Sequence, residues 1–128
     1  ENVHAIQARR LEIWNRYYDG LKCLLEKKIV RLPSIPDYAT NNAHMFYLVC
    51  SSEEERTNLI AHLKIEDIHA VFHYQSLHAS PYFENKHDGR PLPWADTYSS
   101  CFVRLPFHLH LTNDDVDRIA DSINTFYD

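Results

Sequence analysis

Glycine is scarce in this 128-residue chain, which contains only Gly20 and Gly89. A phosphate cradle built from backbone N–H groups usually requires several glycines close together, because the backbone must approach the phosphate closely. We therefore expect no glycine-rich loop here for the phosphate of a nucleotide or a cofactor.

Excess positive charge is also missing, since the net charge is -5 with histidine neutral. Nucleic-acid-binding surfaces usually carry clustered lysine and arginine, so we expect no nucleic acid partner. No apolar run approaches the length of a membrane span, and the first residues do not resemble a secretory signal. The cysteines (Cys23, Cys50 and Cys101) are odd in number and widely spaced. We interpret them as reduced thiols of a cytoplasmic protein.

Helices and strands are predicted from the spacing of apolar residues along the chain. Leu11, Trp14, Tyr18, Leu21 and Leu25 recur every three or four residues, which predicts one long N-terminal helix over residues 1–27. Further helices are predicted at 52–65, 94–100 and 112–127, and short strands at 29–32, 43–50, 70–73 and 102–105. Ser52–Glu55 is typical of a capping box, and Thr112 is a second helix cap.

This order of elements predicts an α/β sandwich, in which a small sheet of about four strands is covered by helices on one face. The strand at 43–50, the helix at 52–65 and the strand at 70–73 form a β-α-β unit whose strands need not be neighbours. The chain length fits one domain over residues 1–128. No N-terminal cap is obvious, so we expect that the first helix continues a segment upstream.

Side chains capable of binding chemistry follow the predicted strand 70–73. The apolar run ends in His73 and Tyr74, and His78 and Tyr82 follow in the next turn. A strand end gives such groups a fixed platform, and the exposed loop after it gives a ligand access. The loop from Tyr74 to Leu92 is long for a compact domain, which favours a functional segment. The sequence therefore predicts a binding site at this strand end.

Four groups of residues, in order along the chain, resemble the C-terminal domain of the PLP-dependent sugar-nucleotide aminotransferases of fold type I. They are Arg9-Arg10-Leu11 with Trp14, Tyr17, Tyr18 and Leu21; Leu32-Pro33-Ser34-Ile35-Pro36; Asn42-Ala43-His44-Met45-Phe46-Tyr47; and Arg104-Leu105-Pro106. The loop pattern Phe72-His73-Tyr74, Leu77-His78 and Pro81-Tyr82 also resembles that family. The resemblance covers almost the whole chain and implies an α/β sandwich.

The resemblance also implies an activity and a set of site residues. It implies that the full enzyme moves an amino group from glutamate through pyridoxal phosphate (PLP) to C4 of a dTDP-4-keto-6-deoxyhexose, and that it forms homodimers. It implies that His78 lies near the sugar and phosphates of the substrate, with His73, Tyr74, Tyr82 and Arg104 as further contacts. In the family, PLP is held by a large domain that this chain lacks, and no lysine here matches the Schiff-base motif. We therefore expect the chain alone to be inactive.

Other polar groups have simpler interpretations. His108 and His110 would share one face of an extended segment, but zinc needs a third and usually a fourth ligand, so we expect no metal site. His44 is interpreted as a structural hydrogen-bonding residue. Asp114 and Asp115 suit a helix N-terminus, and solvation explains Asp117.

A second hypothesis comes from a different class of protein. The chain would be an independent α/β binding module without catalysis, whose histidine-rich loop binds a ligand or a protein. A module of this kind should be monodisperse, whereas a domain separated from its neighbour should expose an apolar patch and self-associate.

Overall fold

The computed structural model describes residues 2–83 and 85–128 of the chain. Its elements are α1 (Val3–Glu26), β1 (Tyr47–Val49), α2 (Glu53–Ile65), α3 (Pro93–Cys101), β2 (Phe102–Arg104) and α4 (Asn113–Tyr127). A single 3-10 turn, Leu77–Ala79, interrupts the long loop between α2 and α3. The predicted helices are confirmed to within two residues at each described end.

The sheet has two strands in the described residues, so the prediction of about four strands was wrong. β1 and β2 pair antiparallel, with Leu48 opposite Val103. Arg31 pairs with β1 and Val71 pairs with β2, each through one isolated antiparallel bridge. Pro33 follows Arg31 closely and has no N–H to extend the pairing, and after Val71 the chain leaves the sheet with Phe72 half exposed.

The order of pairing across the fold is Arg31, β1, β2, Val71. The β-α-β unit from β1 through α2 to Val71 is therefore split, because β2 lies between its two extended segments. This arrangement agrees with the prediction that the two segments need not be neighbours. It brings the chain after Val71 to the side of β2, directly beside the helix that precedes β2.

Helix α1 packs against α4 through the centre of its apolar face. The predicted stripe is correct for Trp14 and Leu21, which are buried, but Tyr17 is more deeply buried than Tyr18. Both registers satisfy a spacing of three and four, so periodicity alone did not select between them. An N-terminal cap is present after all, because the Asn2 side chain accepts a hydrogen bond from the Ala5 N–H at 3.2 Å.

The remaining caps follow the sequence closely. Ser52 accepts from the Glu55 N–H at 3.1 Å, but Glu55 reaches back to the Ser51 N–H at 2.9 Å and not to that of Ser52. Thr112 and Asp115 form a complete capping box at the start of α4. The hydrogen bonds hold α2 and α4 at fixed starting points against the sheet.

None of the described helices combines the length and the apolar character that a membrane crossing requires.

Candidate functional site

The predicted binding loop and helix α3 face each other across a cleft of about 490 Å³. Pro93 starts α3, since its missing N–H costs nothing in the first helical turn. Ala95, Tyr98 and Ser99 recur at three- and four-residue spacing and so present one face to the loop. We call this the His78 cleft; its lining residues are His73, Tyr74, Gln75, Ser76, Leu77, His78, Phe83, His87, Leu92, Ala95, Tyr98 and Ser99.

His78 is held in one orientation by helix α3. The 3-10 turn that contains it places Nε2 of His78 at 2.9 Å from Oδ1 of Asp96, and the His78 side chain is only 18% exposed. An ionised carboxylate can only accept a hydrogen bond, so Nε2 carries a proton. Nδ1 of His78 is the ring atom left for a ligand, and a hydroxyl group can pair with it as donor or as acceptor.

His73 lies at the start of the cleft, beside the sheet. Loss of hydration, and secondarily the positive charge of Arg104, lower the pKa of His73 below its usual value. Both effects disfavour the charged ring. A neutral His73 provides one donor and one acceptor to the cleft.

The structure brings together three of the five predicted site residues. His73, Tyr74 and His78 line the cleft, whereas Tyr82 and Arg104 are not among its lining residues. Tyr82 is 69% exposed, and its ring lies 3.5 Å from Nζ of Lys86. Arg104 belongs to β2, where its backbone pairs with Val71. The prediction that Tyr82 and Arg104 contact a substrate therefore does not apply to a ligand confined to this cleft.

The sequence analysis missed His87, whose ring centroid lies 5.3 Å from that of His78. Nδ1 of His87 accepts a hydrogen bond from the Gly89 N–H at 3.0 Å, so Nε2 carries the proton. Nε2 is buried and has no hydrogen-bond partner among the described residues. The turn Asp88-Gly89, where Gly89 has a φ of +76°, was the available signal for a fixed His87.

The cleft does not fit covalent attachment of PLP. A Schiff base requires a lysine in the site, and no lysine is among the residues that line the His78 cleft. Within the described ranges, Lys22, Lys27, Lys28, Lys64 and Lys86 are all exposed.

His108 and His110 are exposed in the segment between β2 and α4, and His44 lines the same pocket as these two histidines. The ring centroids of His108 and His110 are 6.3 Å apart. Residues 2–83 and 85–128 contain no group of three or more His, Cys, Asp or Glu side chains arranged for a metal ion. His44 hydrogen-bonds through Nδ1 to Oδ1 of Asn42 at 2.9 Å, which is the structural role predicted for it.

The fold is that of a domain found in solved aminotransferase structures. It is similar to TlmJ, an aminotransferase from Streptoalloteichus hindustanus, with a TM-score of 0.86 and 23% identity over 98% of this chain and 33% of that one. A DegT DnrJ EryC1 StrS aminotransferase from Brucella abortus is similar with a TM-score of 0.80 and 25% identity, over 98% of this chain and 32% of that one. The PMP-form of the putative sugar aminotransferase Spr1654 from Streptococcus pneumoniae is similar with a TM-score of 0.85 and 22% identity, over 98% of this chain and 31% of that one.

Residues 1–124 match the sequence profile of the DegT/DnrJ/EryC1/StrS aminotransferase family, and the chain belongs to that family. The aminotransferases of this family depend on PLP, and the solved neighbours include PLP and PMP forms. The chain spans about one third of the length of these structures. The resemblance found in the sequence is therefore confirmed at the level of the family.

Proposed function

We propose that this chain is the C-terminal domain of a PLP-dependent sugar-nucleotide aminotransferase and that the His78 cleft contacts the substrate. The full protein transfers an amino group from glutamate to C4 of a dTDP-4-keto-6-deoxyhexose, as a dTDP-4-amino-4,6-dideoxygalactose transaminase does. It works as a cytoplasmic homodimer in bacterial surface polysaccharide synthesis. Family membership and the sugar aminotransferases among the solved neighbours support this proposal.

The observation that carries the proposal is the convergence of imidazole groups in one aromatic cleft. Asp96 fixes the ring of His78. His87 presents a buried N–H at Nε2 that makes no hydrogen bond within the described residues, and Oδ1 of Asp88 lies 3.7 Å from it. Leaving a buried donor unpaired costs about 1–3 kcal/mol, so a ligand acceptor at Nε2 of His87 would recover that free energy. Hydroxyl and phosphate oxygens of a sugar nucleotide are such acceptors.

The remaining lining residues suit the apolar parts of the same substrate. Tyr74, Phe83 and Tyr98 provide ring faces beside the imidazoles, and aromatic faces bind the planar and C–H surfaces of rings well. In this scheme PLP supplies the amino-group chemistry from the other domain. The residues of this chain bind the sugar nucleotide, orient it through His78 and His87, and exclude water from one side of the bound sugar nucleotide.

Replacing His78 tests the proposal in the full-length enzyme. We expect His78→Ala to lower kcat/KM for the keto-sugar substrate by about tenfold or more, because one hydrogen bond of about 1.4 kcal/mol is lost. His4→Ala is the matched control, since His4 is exposed on α1 outside the cleft, and it should keep the kinetics of the natural sequence.

Asp96→Asn adds a test of orientation. It leaves the cleft sterically intact but removes the ionised acceptor for Nε2 of His78, so we expect an intermediate loss of kcat/KM. Unchanged kinetics in His78→Ala, with folding confirmed by circular dichroism, would remove the His78 cleft from substrate binding.

A further inference from the structure

A second pocket adjoins the His78 cleft on the far side of the binding loop. It has a volume of about 300 Å³ and shares Gln75, Ser76 and Ser99 with the His78 cleft. We call it the Arg56 pocket; its lining residues are Glu53, Arg56, Phe72, Gln75, Ser76, Ala79, Ser99 and Ser100. The His78 cleft is mainly apolar, whereas about half of the lining of the Arg56 pocket is polar and includes one guanidinium group, one carboxylate and three serine hydroxyls.

Arg56 is a largely buried cation whose donors are only partly used. Its side chain is 13% exposed, and Nη2 lies 3.1 Å from Oε1 of Glu53, whose side chain is 68% exposed. Nη2 also approaches Oγ1 of Thr57 at 3.4 Å. Nε is buried and has no hydrogen-bond partner in the described part of the chain. A buried charged donor without a partner is costly, but Nε has almost no accessible surface. The atom left for an added acceptor is Nη1, which makes no hydrogen bond among the described residues.

The surroundings of Arg56 fix the direction of its guanidinium group. The group lies over the ring of Phe72, with Cζ 5.3 Å from the ring centroid. Nη2 is shared with Glu53 and Thr57, and Nη1 makes no hydrogen bond among the described residues. Ser76 and Ser100 make no described side-chain hydrogen bond, whereas the Ser99 hydroxyl donates to the Asp96 carbonyl at 3.0 Å. Arg56 and two serine hydroxyls are thus available as donors.

We propose that the Arg56 pocket binds an oxyanion, namely phosphate or the phosphoryl group of a larger ligand. The guanidinium group donates through Nη1 and Nη2 to two oxygens of the anion, in the bidentate geometry that arginine favours with phosphate. The hydroxyls of Ser76 and Ser100 donate to the remaining oxygens. Glu53 is the opposing group, because its carboxylate lines the same pocket and repels an anion. Phosphate binding in the Arg56 pocket does not require that a substrate binds in the His78 cleft.

The test is a titration of the PLP-loaded full-length enzyme with inorganic phosphate at constant ionic strength, followed by the ³¹P linewidth of the phosphate signal. We expect Arg56→Gln to weaken phosphate binding by about tenfold or more, since a charge-assisted bidentate contact is lost. We expect Glu53→Gln to tighten binding severalfold, because a repelling charge is removed while Arg56 stays. Arg90→Gln is the matched control, as Arg90 is 72% exposed and outside both pockets, and it should bind as the natural sequence does.

Phenyl phosphate separates the two possible sources of the oxyanion. Binding more than tenfold tighter than inorganic phosphate, lost in Tyr98→Ala, means that the oxyanion belongs to a ligand whose ring enters the His78 cleft. Equal affinities for phenyl phosphate and inorganic phosphate mean that the pocket binds a free anion. Either result supports oxyanion binding in the Arg56 pocket. His78→Ala should leave the affinity for inorganic phosphate unchanged, so failure of the proposed function would be seen separately.

Two results would overturn the assignment. One is phosphate binding that is absent or identical in the natural sequence and in Arg56→Gln. The other is weaker binding in Glu53→Gln, which would show that the ion pair serves only to hold the helix. If Arg56→Gln fails to fold in a thermal melt, Ser100→Ala and Glu53→Gln decide the question, with an expected loss and gain of affinity respectively.

Discussion

The ion pair between Arg16 and Asp117 joins two helices that are far apart in the sequence. Arg16 on α1 meets Asp117 on α4 through two bonds, Nε to Oδ1 at 2.6 Å and Nη2 to Oδ2 at 2.5 Å. The sequence analysis assigned Asp117 to solvent, which was wrong. A carboxylate on an exposed helix face looks the same in sequence whether or not a guanidinium group from another helix lies opposite. The hydrogen bond from Arg16 lowers the pKa of Asp117.

This pair predicts a pH dependence at the residue scale. The folded pKa of Asp117 lies below its unfolded value of about 3.9, so its contribution to stability is complete above that value. The contribution is lost as the pH falls through the lower, folded pKa. An NMR titration of the Asp117 carboxyl should give a midpoint below about 3.9, which Arg16→Gln raises. Arg10→Gln should leave the midpoint in place; an unchanged midpoint in Arg16→Gln would show that the pair does not persist in solution.

Helices α1 and α4 approach each other most closely at a glycine. A Cβ atom added to Gly20 would lie 2.9 Å from Cβ of Ala120, and the Gly20 carbonyl accepts a hydrogen bond from Nδ2 of Asn124 at 3.0 Å. Both side-chain partners sit on α4, so a small residue at position 20 determines the distance between the helices. This role was not evident from the sequence, where a glycine inside a helical pattern only lowers helix propensity.

Gly20→Ala tests that role at the level of the two helices. Alanine gains about 1 kcal/mol in helix propensity, but the overpacking against Ala120 costs about 1–3 kcal/mol. We expect a net loss of about 1 kcal/mol in the free energy of unfolding, measured by urea denaturation. The variant Gly20→Ala/Ala120→Gly should lose less than the sum of the two single variants. A gain in stability for Gly20→Ala alone would mean that α4 moves away freely.

The whole molecule buries two of its three thiols at the end of the paired strands. Cys50 comes directly after β1 and Cys101 directly before β2, so the two residues lie opposite each other next to the Val49–Phe102 pair. The Cys50 N–H donates to the Cys101 carbonyl at 2.9 Å. Both are buried, whereas Cys23 is exposed on α1. Burial raises the pKa of the Cys50 thiol to about 11, so this thiol is protonated near neutral pH and reacts slowly as a nucleophile.

Alkylation of the thiols therefore reports on the integrity of the core. At pH 8 we expect iodoacetamide to modify Cys23 in the folded protein while Cys50 stays unmodified, as read by mass spectrometry of peptides. All three cysteines should react in concentrated urea, which is the control for reagent access. Modification of Cys50 as fast as Cys23 would indicate local opening of the sheet end on the timescale of the reaction.

The candidate site was predictable in part, because residue type and order carry some of its chemistry. His73, Tyr74 and His78 follow an apolar segment directly, and the structure places them in one cleft. His87 and Asp96 were missed since they come from later turns and a separate helix. Tyr82 was included because of its position in the loop, but the loop turns after Ala79 and directs its ring toward Lys86.

The sequence by itself determined the helices, the caps of α2 and α4 and the family, since these depend on residue spacing within short segments. The positions of α2 and α4 follow from Ser52 and Thr112, whose side chains bond to N–H groups three residues later. Only the tertiary structure decided the number of strands, the partner of Asp117 and the pocket around Arg56. Each of these depends on which distant segments lie opposite each other, and that choice is made by the packing of the whole core.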